Sequence, residues 1–442
     1  MAPALSDPLV AEARRVAEEV LFPRAQEVDQ AALVPRSHLE ALAGAGLFGL
    51  ALPAGKAGAP DDPAAPDAAM RLVQEALAGA CGATFFVWVQ HHSPVRLLAA
   101  SDNAGPRERW LEPLCRGEAL GGVAFAYLRR PGAPAVRAEA APGGWRVSGT
   151  APFVTSWALA DVFVVASVTA GDQVVWWCLD PVAAGARRPA GGAGAAGDAG
   201  REGRGPTDAG GAVRATPLAL AVLGATSTVA LTFDGVFVPD EDLVSVEDLA
   251  AWRARDRLAT PRPSSAALGL ADRACRLLAE RASELGQAPG DGPVGSAAAA
   301  LAGELEQCRA HAYGLADNLG RLQPGGGSGL PPDDPGSSSD PGSSSDPDSS
   351  SGPESMVASG KPRLELDAHL AAMVEARAWG LDLAQRASGA LVAAVGGRAM
   401  ALSHPAQRLV REAAFYAVQA QSGAIRSATL SLLSSSPGRV AP

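Results

Sequence analysis

At 442 residues, with 47% hydrophobic and 19% charged residues, the chain is long enough to bury a large core and to divide into two or three domains. Its formal net charge of −10 argues against a nucleic-acid binder, which needs a basic face. Five cysteines, Cys81, Cys115, Cys178, Cys275 and Cys308, stand far apart with no CxxC. Neither a zinc site nor a disulfide framework is implied, and reduced thiols in a cytoplasm are the plain reading. The N-terminal run MAPALSDPLVAEARRVAEEV has no apolar stretch of the signal-peptide kind. No apolar run reaches the ~20 residues that a membrane span needs.

Helical spacing comes first. LVAEARRVAEEVLFPRAQEV places apolar residues on one face and charges on the other. HLEALAGAGLFGLALP, from His38 to Pro53, reads as a second helix stopped by glycine and proline. Residues 67–100 give two more helical runs, the second carrying Phe85, Phe86, Trp88, Val89, His91 and His92, with Pro94 expected to end it. From Val123 the period changes. WRVSGTAPFVTSW, DVFVVASV, QVVWWCLD and VALTFDGVFVP are β-branched and aromatic runs between turn signals. The Gly- and Ala-rich run between them, about 185–212, cannot build a core and reads as a disordered loop. After Asp248 helix returns, interrupted at about 323–361 by the repeat DPGSSSDPGSSSDPDSSSGP, which reads as a solvated insertion.

The run Val392–Arg426 carries the most specific pattern. Gly396-Gly397 is followed by His404-Pro405, Arg411-Glu412 and Gln421-Ser422-Gly423. This order resembles the C-terminal signature of the acyl-CoA dehydrogenase superfamily, GGxGxxxxxPxxRxxRDxxxxxIxEGT. Gly46–Leu50, the Arg107–Gly122 run and the Val229–Pro239 strand resemble further segments of the same family. The resemblance implies an α+β fold in three parts: an N-terminal helical domain (1–120), a middle β-barrel or sandwich domain (121–246) and a C-terminal four-helix bundle (247–436). It also implies FAD between the β-domain and the bundle, an acyl thioester of CoA or a carrier protein as substrate, and a homodimer or homotetramer. Neither metal nor nucleic acid is expected.

By the same resemblance Phe153 packs against the isoalloxazine, Thr155 bonds near its N5, and Gly396, Gly397 and Ser422 meet the diphosphate region. An ordinary strand explains Phe153-Val154-Thr155 equally, and a plain helix C-cap explains Gly396-Gly397. The family's catalytic Glu, which removes the substrate α-proton, corresponds to Ala420. Candidates to replace it are His92 and Asp256, since a base needs a tunable carboxylate or a neutral imidazole. His91 points about 100° away from His92 on a helix, so at most one of the two faces the site; a structural histidine is the plainer reading of each, and of His404. Other departures accompany Ala420. Arg129-Arg130 replaces Thr-Glu, Ala135-Val136 replaces Ser-Asp, Leu285 stands near the place of a pyrophosphate Arg, and Ala393 replaces a Gln. The expected function is an FAD-dependent acyl-CoA dehydrogenase-like oxidoreductase with no identified base. A flavin monooxygenase of the same fold and a catalytically silent partner subunit are the alternatives.

Overall fold

The computed structural model describes residues 7–52, 65–184, 211–322 and 361–434. The stretches 185–210 and 323–360, on which the expected loop and insertion fall, lie outside the described residues.

Helix α1 (Pro8–Val16) opens on Asp7, whose carboxylate accepts the Leu9 N–H at 2.8 Å. It passes through a π turn (Ala17–Leu21) into α2 (Phe22–Gln30). Helix α3 (Arg36–Gly44) is shorter than the expected His38–Pro53 helix. The chain leaves helical geometry because Gly46 takes φ +70. After α4 (Ala65–Ala80) comes α5 (Gly82–Ala99), which runs straight through Pro94. The expected helix end at Pro94 is therefore corrected. Val95, Leu98 and Ala99 are buried beyond it, and the Pro94 ring is packed against the backbone of Gly121. That tertiary burial outweighs the missing backbone hydrogen bond. Helix α6 (Ala104–Arg116) starts on an Asn103 cap and ends at Gly117, φ +71.

Among the described residues eight strands form one sheet: β1 (Gly121–Ala124), β2 (Val136–Ala141), β3 (Gly144–Val154), β4 (Val162–Val168), β5 (Gln173–Leu179), β6 (Ala212–Pro217), β7 (Val229–Pro239) and β8 (Leu243–Asp248). The order is β6-β7-β3-β2-β4-β5-β8, with β1 parallel to β4. Strand β4, VFVVASV, is buried along its whole length, as suits a strand covered on both faces.

Helix α7 (Leu249–Ala259) leads into α8 (Ser265–Glu284), α9 (Gly292–Leu322), α10 (Lys361–Val395), α11 (Pro405–Tyr416) and α12 (Gly423–Ser434). Helix α8 packs on α9 and α10 and also on α4, so the N-terminal helices and the C-terminal bundle share one core. Ion pairs fasten this junction. Arg273 grips Glu18 through both terminal nitrogens, at 3.0 and 2.6 Å. Glu75 on α4 accepts from Arg309 (2.8 Å) and from the Tyr313 hydroxyl (2.6 Å) on α9.

Candidate functional site

The end of β3 is the first element of the site. A register shift against β7 falls between Ala151 and Val154. There Phe153 takes φ +57 and Ser156 φ +71, backbone conformations that cost an L-residue roughly 1–2 kcal/mol each. The shift turns the Phe153 ring outward, 58% exposed, while Val154 and Thr155 are buried. Thr155 Oγ1 lies 3.3 Å from Thr228 Oγ1, which lies 2.9 Å from Thr226 Oγ1. The buried Ser156 hydroxyl has no hydrogen-bond partner among the described residues. Strained backbone, an exposed ring and a chain of hydroxyls thus share one strand end, more than an ordinary strand requires.

The second element surrounds residue 420, beyond α11. Ala420 takes φ +50. The preceding carbonyl, Gln419 O, accepts Nη2 of Arg377 at 3.2 Å, and Arg377 Nη1 donates to Arg262 O at 2.8 Å. Arg377 lies in a fully buried stretch of α10, 7% exposed, with its Nε unpartnered. Burial lowers its pKa to about 10, and the like charge of Arg129 adds to the effect. Sequence reasoning passed over Arg377. The signal was a lone arginine among Ala376, Ala378 and Trp379, inside an apolar run of helix.

Ser422 accepts the Ile425 N–H at 3.2 Å and so caps α12. Gly396 ends α10 with φ +71, the usual geometry of a helix terminator, and a Cβ at Gly396 or Gly397 meets nothing within 4 Å. Both glycines are exposed. Leu285 is exposed at the end of α8, and one turn earlier Arg281 is held by Glu284 (2.9 Å) and Ala394 O (3.3 Å).

The candidate bases are constrained. His92 is buried against Trp88, ring centroids 4.4 Å apart, with neither ring nitrogen partnered among the described residues. Burial drives its pKa well below the ordinary value, helped by His91 and Arg96. His91 Nδ1 accepts the Gly121 N–H at 3.0 Å, and burial takes its pKa down to about 3. It ties α5 to β1, a structural role. His404 caps α11 by accepting the Ala406 N–H. Asp256 is clamped by Arg129 through two bonds of 2.6 and 2.8 Å and also accepts from Thr260. Arg129 meanwhile lies over the Phe125 ring, 5.2 Å from its centroid. Arg130 is exposed, as a solvated edge would be. Phe85 and Phe86 pack edge-on against Tyr416 and Phe415 of α11, at 6.3 and 4.8 Å.

FAD fits one end of this arrangement. The exposed Phe153 ring, at the same strand end as the Thr155–Thr228–Thr226 hydroxyls, suits a flat heteroaromatic ring system. The diphosphate end does not fit equally, because Ser422, Gly396 and Arg281 already serve helix ends. Among the described residues no group of three His, Cys, Asp or Glu side chains is placed to hold a metal.

Comparison with known proteins agrees with this architecture. Residues 6–118 match the family "Acyl-CoA dehydrogenase, N-terminal domain". Butyryl-CoA dehydrogenase from Megasphaera elsdenii superposes with TM-score 0.65 at 16% identity, covering 96% of this chain and 97% of that one. A probable acyl-CoA dehydrogenase from Mycobacterium abscessus gives 0.66 at 17%, covering 96% and 97%. PigA, solved with FAD and proline, gives 0.66 at 17%, covering 96% of each chain. No curated protein matches by sequence.

Proposed function

We propose that this chain, which matches the acyl-CoA dehydrogenase N-terminal domain over residues 6–118 and shares the fold of solved acyl-CoA dehydrogenases, is an FAD-dependent oxidoreductase of that superfamily acting on an acyl thioester of CoA or a carrier protein. The observation that carries this reading is the exposed Phe153 ring on strained backbone next to Thr155. When bound, FAD supplies the hydride acceptor. Phe153 would hold the ring system through its exposed ring, and Thr155, whose hydroxyl is positioned by Thr228, would offer it a hydrogen-bonding group. Gly396, Gly397 and Ser422 remain as diphosphate contacts only if the helix ends they cap accept a second duty.

The α-proton is the distinctive difficulty. Ala420 offers no base, Asp256 is held by Arg129, and His92 is enclosed. No side chain is assigned that role. The Arg129–Asp256 pair favours a second reading, a catalytically silent homologue acting as partner subunit. Exposed Met400, Leu402, Val418, Leu430 and Leu433 support assembly as a homodimer or homotetramer in either case. No helix among the described residues is long and apolar enough to cross a membrane.

Flavin content of the purified chain tests the proposal. FAD should bind with a perturbed flavin spectrum, and Phe153→Ala should weaken binding about tenfold or more, the loss of one aromatic stacking contact. Anaerobic bleaching by butyryl-CoA would establish dehydrogenation. A chain that stays colourless in excess FAD sinks the oxidoreductase reading, and bound flavin that no acyl thioester reduces leaves the silent-partner reading standing.

A further inference from the structure

Arg377 presents an imbalance that the proposed function does not use. It is 7% exposed, it donates only to the carbonyls of Arg262 and Gln419, and its Nε has no partner. No carboxylate lies within ion-pair distance among the described residues, although every other well-buried arginine of the core has one: Arg273 has Glu18, Arg309 has Glu75 and Arg408 has Glu412. A buried guanidinium without an anion is costly to keep. Its surroundings add to the excess. The like charge of Arg129 acts on Arg377, although Arg129 is itself paired with Asp256. The residue next to the Gln419 carbonyl is Ala420, where a carboxylate is absent.

We propose that Arg377 binds a carboxylate carried by the ligand, which neutralises its guanidinium beside position 420. The substrate class is then an acyl compound with a second, free acid group. The inference rests on the site proposed above for an acyl ligand, but it does not require flavin.

Acetate serves as the probe, read by thermal unfolding of the full chain as purified. Wild type should gain stability saturably with sodium acetate over sodium chloride of equal ionic strength, by about 1–2 °C at ten times the dissociation constant. Arg377→Met should lose that gain. Ala420→Glu should lose it too, because the new side chain supplies the anion internally, and its own melting temperature should exceed that of wild type. If Arg377→Met does not fold, Ala420→Glu decides alone. An equal acetate response in all variants, or none in wild type, overturns the proposal, and a response to inorganic phosphate but not to acetate overturns the carboxylate assignment. A chain that binds no FAD yet responds to acetate in this pattern removes the oxidoreductase reading and leaves this one intact.

Discussion

His92 carries a heavier burden than His91. Both rings are buried, but His91 accepts a backbone N–H at Nδ1 and leaves only Nε2 unpartnered, while His92 has no partner for either nitrogen among the described residues. Each is neutral in the folded chain, because burial lowers its pKa below the ordinary 6.5. The folded-state pKa is the depressed one, so the unfolded chain binds the extra proton. Stability is then fully present above about pH 6.5 and is lost as pH falls, at about 1.4 kcal/mol per pH unit for each such histidine until its folded value is reached. His38, lowered to about 4, adds to the same slope. His92→Leu should therefore leave stability at pH 7 equal or higher, since no hydrogen bond is lost. It should also flatten the fall in melting temperature between pH 6.5 and 5 by one proton's share. An unchanged acid slope would place His92 outside this titration. At this scale the site was half legible. Phe153 and Thr155 follow from a local pattern of aromatic, β-branched and hydroxyl residues. The isolation of Arg377 and the capture of Asp256 by Arg129 depend on partners 42 and 127 residues away in sequence, which no local pattern encodes.

Helix α11 shows how one element fixes another. Arg408 and Glu412 sit one turn apart, both almost fully buried, joined at 3.0 Å. Glu412 also accepts the Gly82 N–H at 3.2 Å, so its carboxylate meets the positive end of α5, where backbone donors lack helical partners. The approach is so close that a Cβ at Gly82 would stand 2.6 Å from the Glu412 carboxyl carbon. Removing one partner strands the other charge. Glu412→Ala should destabilise the chain by about 3–5 kcal/mol, and the apolar pair Arg408→Met with Glu412→Leu should recover most of it. Denaturant unfolding of the single and double variants measures this; a double variant no better than the single would mean that the Gly82 contact, not the stranded Arg408, dominates. The pair Arg411-Glu412 was visible in the sequence as part of a family pattern, but the pairing of Glu412 with Arg408 and its role in seating α5 were not. The same holds for Pro94. Local rules end the helix there, and packing against Gly121 carries it on.

For the whole molecule, the question is what holds the N-terminal helices to the C-terminal bundle. Order of elements was readable from periodicity, since α7 begins within a residue of the expected return to helix at Asp248. Contact between distant elements was not, and the decisive one is made by glycines. Gly79 of α4 and Gly269 of α8 face each other so closely that a Cβ on Gly269 would stand 2.1 Å from Glu75 O, and one on Gly79 would stand 2.5 Å from Gly269 O. Helix propensity alone favours alanine over an interior glycine by roughly 0.5–1 kcal/mol. Here the clash is with backbone, which cannot swing aside, and overpacking typically costs about 1–3 kcal/mol or more. The second effect wins, so Gly269→Ala should lower stability despite the better helix former. Gly303 in α9 is the matched control, exposed, with nothing within 4 Å of its Cβ position. Gly303→Ala should raise stability by about 0.5–1 kcal/mol. Opposite signs for the two substitutions, read as shifts in denaturation midpoint, identify the α4–α8 contact as the joint of the molecule. Two shifts of the same sign would mean that the helices part readily. The joint then lies instead in the charged pins from Arg273 to Glu18 and from Arg309 to Glu75, whose weakening by salt is the remaining signature.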